Sequence, residues 1–201
     1  MKKSTAMGIF IPLGIVILLV IIIIATGAGS YNSMVTKREE VRSQWSNVEN
    51  QYQRRADLIP NLVNTVKGYA EHESSTLESV IAARSRATQA QVNFDQLNEQ
   101  TLNQYNSAQG ELTSALGRLL AISESYPDLK ANQNFRDLQV QLEGTENRIA
   151  TERRKFNETA QGYNSYIKRF PRNIVASIFN FDEVAYFTAL PESQTAPVVS
   201  F

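Results

Sequence analysis

The chain has 201 residues with 20 basic and 20 acidic side chains, so its formal net charge is zero. A protein that binds nucleic acid generally needs an excess of basic residues to neutralise phosphates, and this composition argues against such a role. The sequence contains no cysteine, which excludes disulfides, thiolate catalysis and cysteine metal ligands. The length suits one ordinary domain plus a short appendage.

An uncharged, apolar segment lies near the N-terminus. No residue between Ser4 and Thr36 is charged, and residues 9–25 are mostly aliphatic. About 20 apolar residues at roughly 1.5 Å per residue span the roughly 30 Å hydrocarbon core of a bilayer. Residues 7–27 meet that requirement, and Pro12 lies near their start, where a missing N–H group disturbs a helix least. The segment therefore predicts a membrane-spanning helix.

A cleaved signal peptide is the alternative interpretation of this segment. Lys2 and Lys3 resemble the basic start of a signal peptide, and residues 25–28 resemble a cleavage neighbourhood. The apolar core of a signal peptide is about 7–15 residues long, so the longer segment here favours a retained anchor. The two lysines favour an N-terminus in the cytoplasm and a domain on the outer, periplasmic side, although the basic residues on the two sides nearly balance.

A stripe of apolar residues follows the anchor. Pro60 interrupts it, because a proline removes one helix hydrogen bond and its ring clashes with the carbonyl group four residues earlier. A kink is favoured over a restart of the helix capped by Asp57, since the stripe keeps its phase across the proline. Its members, at steps of three and four residues that share one helix face, are Val41, Trp45, Val48, Tyr52, Ala56, Ile59, Val63, Val66 and Ala70.

Two further long helices are predicted. The first runs from about Asp95 to Ser125, and the second ends before Pro171, with Asn132 and Asn134 available as caps at its start. Their seams are Leu112, Leu116, Leu119 and Ile122 in the first helix, and Phe135, Leu138, Leu142, Thr145, Ile149, Glu152, Phe156, Thr159, Tyr163, Ile167 and Phe170 in the second.

These patterns predict an all-α fold, with an N-terminal transmembrane helix followed by an elongated antiparallel bundle of long helices. Residues 173–179 are expected to add a short helix, and residues 191–201 have the composition of a frayed tail. Because a narrow bundle has much surface and little core, we expect neighbouring copies to complete its seams.

The sequence contains no recognisable catalytic, metal-binding or cofactor-binding pattern. His72 is the only histidine, and the zinc helix motif needs a second histidine four residues later, where Thr76 stands. A single histidine without a nucleophile-elbow motif argues against a serine triad, and no glycine-rich phosphate loop is present. We therefore predict no enzymatic activity, no metal site and no cofactor, and interpret His72 as a helix-surface residue.

Arg54, Arg55 and Asp57 form a notable charged group. Arginine forks match phosphate geometry, so this group is a candidate site for an anionic ligand or a lipid headgroup. The alternative is a solvated helix face with ion pairs between helices, which is the commoner situation. Trp45 is interpreted as a core residue and not as part of a ligand cage.

The segment over residues 53–63 reads Gln-Arg-Arg-Ala-Asp-Leu-Ile-Pro-Asn-Leu-Val, which includes Pro60 and Asn61 beside the charged group. This segment, the longest of several, closely resembles the LemA family. A match of that length and specificity makes chance similarity remote. The other matching segments are residues 45–48 with Trp45, residues 66–70, His72 with Glu73, residues 124–132 with Tyr126 and Pro127, residues 145–150, residues 163–164 and residues 170–171.

The resemblance extends from Tyr31 to Phe187 and implies a bacterial protein with one N-terminal transmembrane helix and a domain of long helices. No enzymatic activity is established for the LemA family, and its magnetosome-membrane branch suggests a part in membrane organisation. The domains so implied are an anchor over residues 1–30, a LemA-like bundle over residues 31–187 and a flexible tail over residues 188–201. The matching motif residues are interaction candidates and not catalytic residues.

The expected function is that of a non-enzymatic helical scaffold, anchored in the bacterial inner membrane, which self-assembles or organises other membrane proteins. Its expected partners are further copies of the chain, the lipid bilayer and other membrane proteins, and not nucleic acid. A membrane-tethered sensor or binding module that uses Arg54, Arg55 and Asp57 is the alternative. An envelope enzyme is a third interpretation, which no assembled site supports.

Overall fold

The computed structural model describes residues 4–188, with side chains for residues 14–22 and 24–188. No β-strand occurs in that range, which confirms the predicted all-α fold with a long apolar N-terminal helix and a bundle of long helices. The predicted tail over residues 188–201 lies outside the described residues except for Thr188. The α-helices are α1 (Ser4–Lys67), α2 (Ser74–Gln89), α3 (Glu99–Ile122), α4 (Pro127–Ala131), α5 (Gln133–Lys168) and α6 (Arg172–Ile178).

The described chain forms two compact units. Unit 1 contains residues 4–40 and 161–183, and unit 2 contains residues 41–160 and 184–188. Helices α1 and α5 each contribute residues to both units. The domain limits predicted from the sequence, after residues 30 and 187, stay a prediction.

The first apolar stripe forms one wall of the core of unit 2. Every member from Val41 to Ala70 is buried, with at most 7% of its surface exposed. Helix α1 continues through Pro60 to Lys67, so the alternative of a new helix capped by Asp57 is wrong. The stripe keeps its phase across Pro60 because the helix is continuous there.

A side chain from α2 compensates for the hydrogen bond that Pro60 removes. In a helix, the N–H group of residue 60 would donate to the carbonyl oxygen of Ala56, and proline has no N–H group. Arg84 Nε donates to that oxygen instead, at 2.7 Å. A buried carbonyl without a donor is costly, so this contact explains how α1 tolerates a proline in its interior.

Helix α2 was not predicted from the sequence. Its buried face consists of Leu77, Val80, Ala83 and Ala87, and two of these four are alanines, which contribute little to a hydrophobic pattern. The three long helices predicted from the sequence are present as α1, α3 and α5. In unit 2, α2 packs as an additional helix beside parts of all three.

Two pairs of neighbouring helices in unit 2, α2 with α3 and α1 with α5, run antiparallel. In each of these two pairs, the residue number on one helix falls as the contacting residue number on the other rises. The pairs are Arg86 with Glu111 and Ser79 with Arg118 between α2 and α3, and Gln44 with Glu152 and Arg55 with Glu146 between α1 and α5.

Asparagine side chains cap two of these helices. Asn98 Oδ1 accepts a hydrogen bond from Thr101 N, and Thr101 Oγ1 accepts one from Asn98 N, both at 3.0 Å. This capping box makes α3 begin at Glu99, four residues later than predicted. Asn132 Oδ1 accepts a hydrogen bond from Phe135 N at 3.0 Å, which confirms the predicted cap of α5.

Unit 1 contains an exposed apolar segment of α1. The large aliphatic side chains from Ile15 to Ile24 that the structure describes are each about half exposed. By length and composition, α1 is the helix among the described residues that is able to cross a membrane. Its apolar surface runs around the whole helix, as expected for a helix surrounded by lipid.

A small core lies beyond this segment in unit 1. Met34, Tyr163 and Ile167 are buried in it. Tyr163 Oη donates to the carbonyl oxygen of Asp182 at 3.0 Å, and burial raises the pKa of Tyr163. Phe170 was predicted to close the seam of α5, but it is 81% exposed because the helix ends at Lys168. That prediction is wrong.

Candidate functional site

The structure separates the members of the candidate arginine group. Arg54 and Asp57 are exposed, and Asp57 Oδ1 accepts a hydrogen bond from Gln53 at 2.8 Å. Arg55 is only 1% exposed. Successive residues of an α-helix point about 100° apart, so adjacent arginines on one helix reach different surroundings.

The guanidinium group of Arg55 binds residues of two other helices. Its Nη1 donates to Glu146 Oε1 at 2.7 Å and to Thr113 Oγ1 at 2.8 Å. Its Nη2 donates to Gln109 Oε1 at 2.6 Å and to the Gln109 carbonyl oxygen at 3.2 Å. The Tyr52 ring centroid lies 5.1 Å from its Cζ. The network joins α1 to α3 and α5.

This arrangement suits a structural role for Arg55. A buried charge is tolerated when a counter-charge and hydrogen bonds compensate for lost hydration, and Glu146, Thr113 and Gln109 supply both. An anion from solvent does not reach a side chain that is 1% exposed. An anion site in this segment stays a prediction, and only Arg54 is exposed to take part in it.

A small recess adjoins the Arg55 network. Glu49, Tyr52, Tyr105 and Gln109 contribute to its lining, and its volume of about 30 Å³ is room for one water molecule. Burial raises the pKa of Glu49, and the indole of Trp45 offsets part of that rise. Burial also raises the pKa of Tyr52 and of Tyr105, so both phenols stay neutral at physiological pH. The recess is far smaller than a pocket for an organic ligand.

Trp45 is a core residue, as its place in the stripe predicted. It is 1% exposed, and its ring centroid lies between 5.4 and 5.8 Å from those of Tyr105, Phe156 and Phe187. Asn157 holds Phe187 in place, because its side chain accepts from the Phe187 N–H group and donates to the Phe187 carbonyl oxygen, both at 2.9 Å.

Two other candidate residues, Glu73 and Tyr126, meet in unit 2. Tyr126 Oη donates to Glu73 Oε1 at 3.2 Å, although the residues lie 53 positions apart in the chain. Pro127 begins α4 at the first helical position, where a proline costs no hydrogen bond. His72 is exposed beside Glu73, but it lies in the turn between α1 and α2, so its predicted place on a helix is wrong. The contact fixes the turn between α1 and α2 against the segment before α4.

The remaining candidates, Pro60 and Asn61, are exposed on α1. Within residues 4–188, no three His, Asp or Glu side chains are grouped so as to hold a metal ion. Glu152 forms contacts of another kind, since a hydrogen bond from Lys155 lowers the pKa of Glu152 and Gln44 donates to it at 2.6 Å.

Sequence reasoning found Arg55 but missed its partners. Glu146 lies in a segment that resembles the LemA family, residues 145–150, which is a usable signal. Gln109 and Thr113 carry no such signal, because a polar residue on an amphipathic helix is ordinarily solvated. Their roles follow only from the packing of α3 against α1.

A sequence profile of the LemA family matches residues 44–201, which include every candidate residue above. The chain belongs to the LemA family. The magnetosome protein MamQ 2 of Paramagnetospirillum magneticum is 30% identical over 201 residues, which cover 92% of this chain and 74% of that protein. The magnetosome protein MamQ of Magnetospirillum gryphiswaldense is also 30% identical, over 94% of this chain and 75% of its own length.

A third relative is the protein LemA of Metamycoplasma hominis, which is 26% identical over 161 residues. That match covers 80% of this chain and 70% of the relative. None of the three names assigns an enzymatic activity. The recognition of the family from its motif residues is confirmed.

Proposed function

We propose that this protein is a membrane-anchored, non-enzymatic scaffold, which self-assembles or organises other membrane proteins. The observation that carries the proposal is the composition of α1 along its length. Residues 15–22 and Ile24 expose apolar side chains around the helix, whereas residues 41–67 of the same uninterrupted helix bury one apolar stripe in the core of unit 2. One helix thus serves as both a candidate anchor and a structural part of a bundle.

The use of polar groups in unit 2 supports a scaffold over an enzyme. Arg55, Glu146 and Gln109 bind one another and join helices, and the recess beside them holds about one water molecule. Two relatives are bacterial magnetosome proteins by name, and the exposed apolar stretch of α1 supports an anchor in the bacterial inner membrane for this chain.

Unit 2 also offers apolar side chains for contacts between copies. Ile81 on α2 is 53% exposed, and Val140 on α5 is 67% exposed. Aliphatic residues on an exposed helix face are common, and contact with another protein would bury them. These two residues are therefore the positions at which self-assembly is tested.

The test is the mass of the full-length protein extracted from membranes in native lipid particles. We expect a discrete assembly of several chains, and we expect Ile81→Glu combined with Val140→Glu to lower its mass. The control combines Ala82→Glu with Gln141→Glu, which adds the same charge at neighbouring exposed positions. A particle with one chain and no other protein contradicts both forms of the proposal.

A further inference from the structure

A cleft in unit 1 lies where the apolar segment of α1 ends. It has a volume of about 440 Å³. One side of the cleft consists of small and polar residues of α1, including Gly29, Ser30 and Ser33, and the other side includes Arg169 and Arg172 at the junction of α5 and α6. Along α1, the apolar residues that end near Ile24 are followed within two turns by the small and polar residues of this cleft.

The two arginines of this cleft form no ion pair with the described part of the chain. Among residues 4–188, no carboxylate lies within ion-pair distance of Arg169 or Arg172, whereas the neighbouring Lys168 pairs with Glu183 at 2.7 Å. Arg172 stacks on the ring of Tyr166, with 4.1 Å between its Cζ and the ring centroid. A stacked arginine keeps its N–H groups available for hydrogen bonds to an anion.

Large apolar side chains surround the same junction. Phe170 is 81% exposed, Ile178 is 66% exposed and Phe179 is 55% exposed, and Ile174 is half exposed. Ile174 and Ile178 are four residues apart on α6 and therefore share one face of it. Together these four residues form the α6 apolar patch. Exposed apolar groups of this size, with basic neighbours, are typical of surfaces that meet a membrane.

The level of the patch along α1 matches the surface of a bilayer. The rings of Tyr31 and Phe179 are in edge-to-face contact at 4.9 Å. Tyr31 lies four residues beyond Gly27, the last residue of the predicted span, which is about 6 Å at 1.5 Å per residue. The headgroup layer on each side of the hydrocarbon core is roughly 5–8 Å thick. Phe179 therefore lies at the depth where aromatic residues anchor membrane proteins.

We propose that the α5–α6 junction is a second membrane contact, in which the α6 apolar patch enters the bilayer surface and Arg169 and Arg172 bind the phosphate of a lipid headgroup in the adjoining cleft. The bilayer is the occupant because Phe179 of the patch contacts Tyr31 of α1, just beyond the apolar segment, and the two arginines complement a lipid phosphate. This contact does not depend on self-assembly. It requires only that α1 spans the membrane.

The absence of cysteine gives a direct test with the full chain. Ile178→Cys carries a polarity-sensitive fluorophore in protein reconstituted into vesicles of phosphatidylcholine and phosphatidylglycerol. The matched control is Ile81→Cys, which labels the same residue type at a similarly exposed helix position in unit 2. The apolar surroundings are expected to shift the emission of the label at position 178 to shorter wavelength, and lipids with brominated acyl chains are expected to quench it. Brominated lipid is not expected to quench the label at position 81.

Three outcomes of the labelling experiment would overturn the proposal. Equal quenching by brominated lipid at both positions overturns the proposal, because the lipid contact would not be specific to α6. A label at position 178 that is shielded from both brominated lipid and aqueous iodide indicates a protein partner on the patch, and it also overturns the proposal. Quenching by iodide alone at position 178 shows a patch in water and has the same consequence.

A second arm tests the arginines in the Ile178→Cys background. With both arginines present, we expect brominated lipid to quench the label more strongly in vesicles that contain phosphatidylglycerol than in vesicles of phosphatidylcholine alone. The cleft variant, Arg169→Gln with Arg172→Gln, should abolish that difference. The control, Arg54→Gln with Arg148→Gln, removes two exposed arginines of unit 2 and should retain it. If the cleft variant keeps the wild-type response to phosphatidylglycerol, headgroup binding in the cleft is wrong.

Discussion

Two stretches of the same helix, residues 15–24 and residues 41–67 of α1, differ in how their apolar residues are arranged. The first is apolar on every side, and the side chains described in it are exposed. The second is apolar on one stripe that is buried against α2, α3 and α5. The difference shows two separate effects. A helix that is apolar on all sides and long enough is suited to lipid, whereas a helix with apolar residues at a helical period is suited to packing against other helices. Substitutions in the two stretches should therefore change different quantities.

The largest expected effect is on the buried stripe. Trp45→Ala should lower the free energy of unfolding of unit 2 by about 4 kcal/mol, because it leaves a cavity among Tyr105, Phe156 and Phe187. Chemical denaturation of the detergent-solubilised protein, followed by circular dichroism, measures the change. Leu18→Ala in the apolar stretch is the control and should leave that free energy within about 0.5 kcal/mol. Equal losses would contradict the distinction between the two stretches.

The next effect distinguishes two adjacent arginines of the second stretch. Arg55→Ala should cost about 3 kcal/mol of unfolding free energy, because Gln109 and Glu146 lose a buried partner. Arg54→Ala should change it by no more than about 0.5 kcal/mol, since that side chain is exposed. Denaturant titration of both variants is the measurement, and similar values for the two would show that Arg55 is not a structural residue.

A charge in the apolar stretch should act on membrane insertion instead of on unit 2. Leu18→Arg places a charge near the middle of the predicted span, which disfavours insertion by about 2.5 kcal/mol. A glycosylation-reporter insertion assay measures this change, and Leu18→Ile serves as its control. Denaturation of unit 2 in detergent should be unaffected by Leu18→Arg. If Leu18→Arg lowered the stability of unit 2 without reducing membrane insertion, the interpretation of this stretch as a membrane-spanning segment would be wrong.

A smaller effect concerns the proline within α1. Arg84→Met should cost about 1.5 kcal/mol, because the carbonyl oxygen of Ala56 then lacks a donor. In a Pro60→Ala background the helix supplies its own N–H group to that oxygen, and the same substitution should cost less. A double-mutant cycle of unfolding free energies gives the coupling, and a coupling of zero would mean that Arg84 does not compensate for the proline.

The smallest effect is a pH dependence at Glu49. Burial raises the pKa of Glu49 in the folded chain, so the folded state binds its proton more tightly than the unfolded state does. Its contribution to stability therefore falls as the pH rises from the usual glutamate pKa of about 4.3 through the raised value. Relative to Glu49→Gln, the wild type should be less stable at pH 7 than at pH 4. A difference between the two proteins that does not change with pH would contradict this assignment.

Most of the fold could be predicted because its signals are local. The stripe from Val41 to Ala70 and the cap at Asn132 follow from residues a few positions apart, and both were found. Helix α2 was missed because two alanines weaken the pattern of its buried face. Phe170 was assigned to a seam that continues its heptad pattern, yet the helix ends two residues earlier.

The candidate site was less predictable. Arg55 was found through its motif, but Gln109 and Thr113 carry the same local pattern as any solvated polar residue. Arg55 is buried and Arg54 is exposed because the side of α1 that carries Arg55 faces α3 and α5. The contact between Tyr126 and Glu73 joins two motif segments that are far apart in the sequence. Nothing in their spacing along the chain predicts that they meet.

The sequence by itself determined the all-α class, the apolar segment, the phase of the long helices and membership in the LemA family. Periodicity and the length of an apolar segment are properties of one helix and its surroundings, so they can be predicted from the order of residues along the chain. Only the tertiary structure decided which arginine is buried, which donor replaces the N–H group missing at Pro60, and where Arg169 and Arg172 lie. Those outcomes depend on contacts between segments far apart in sequence, and packing alone selects them.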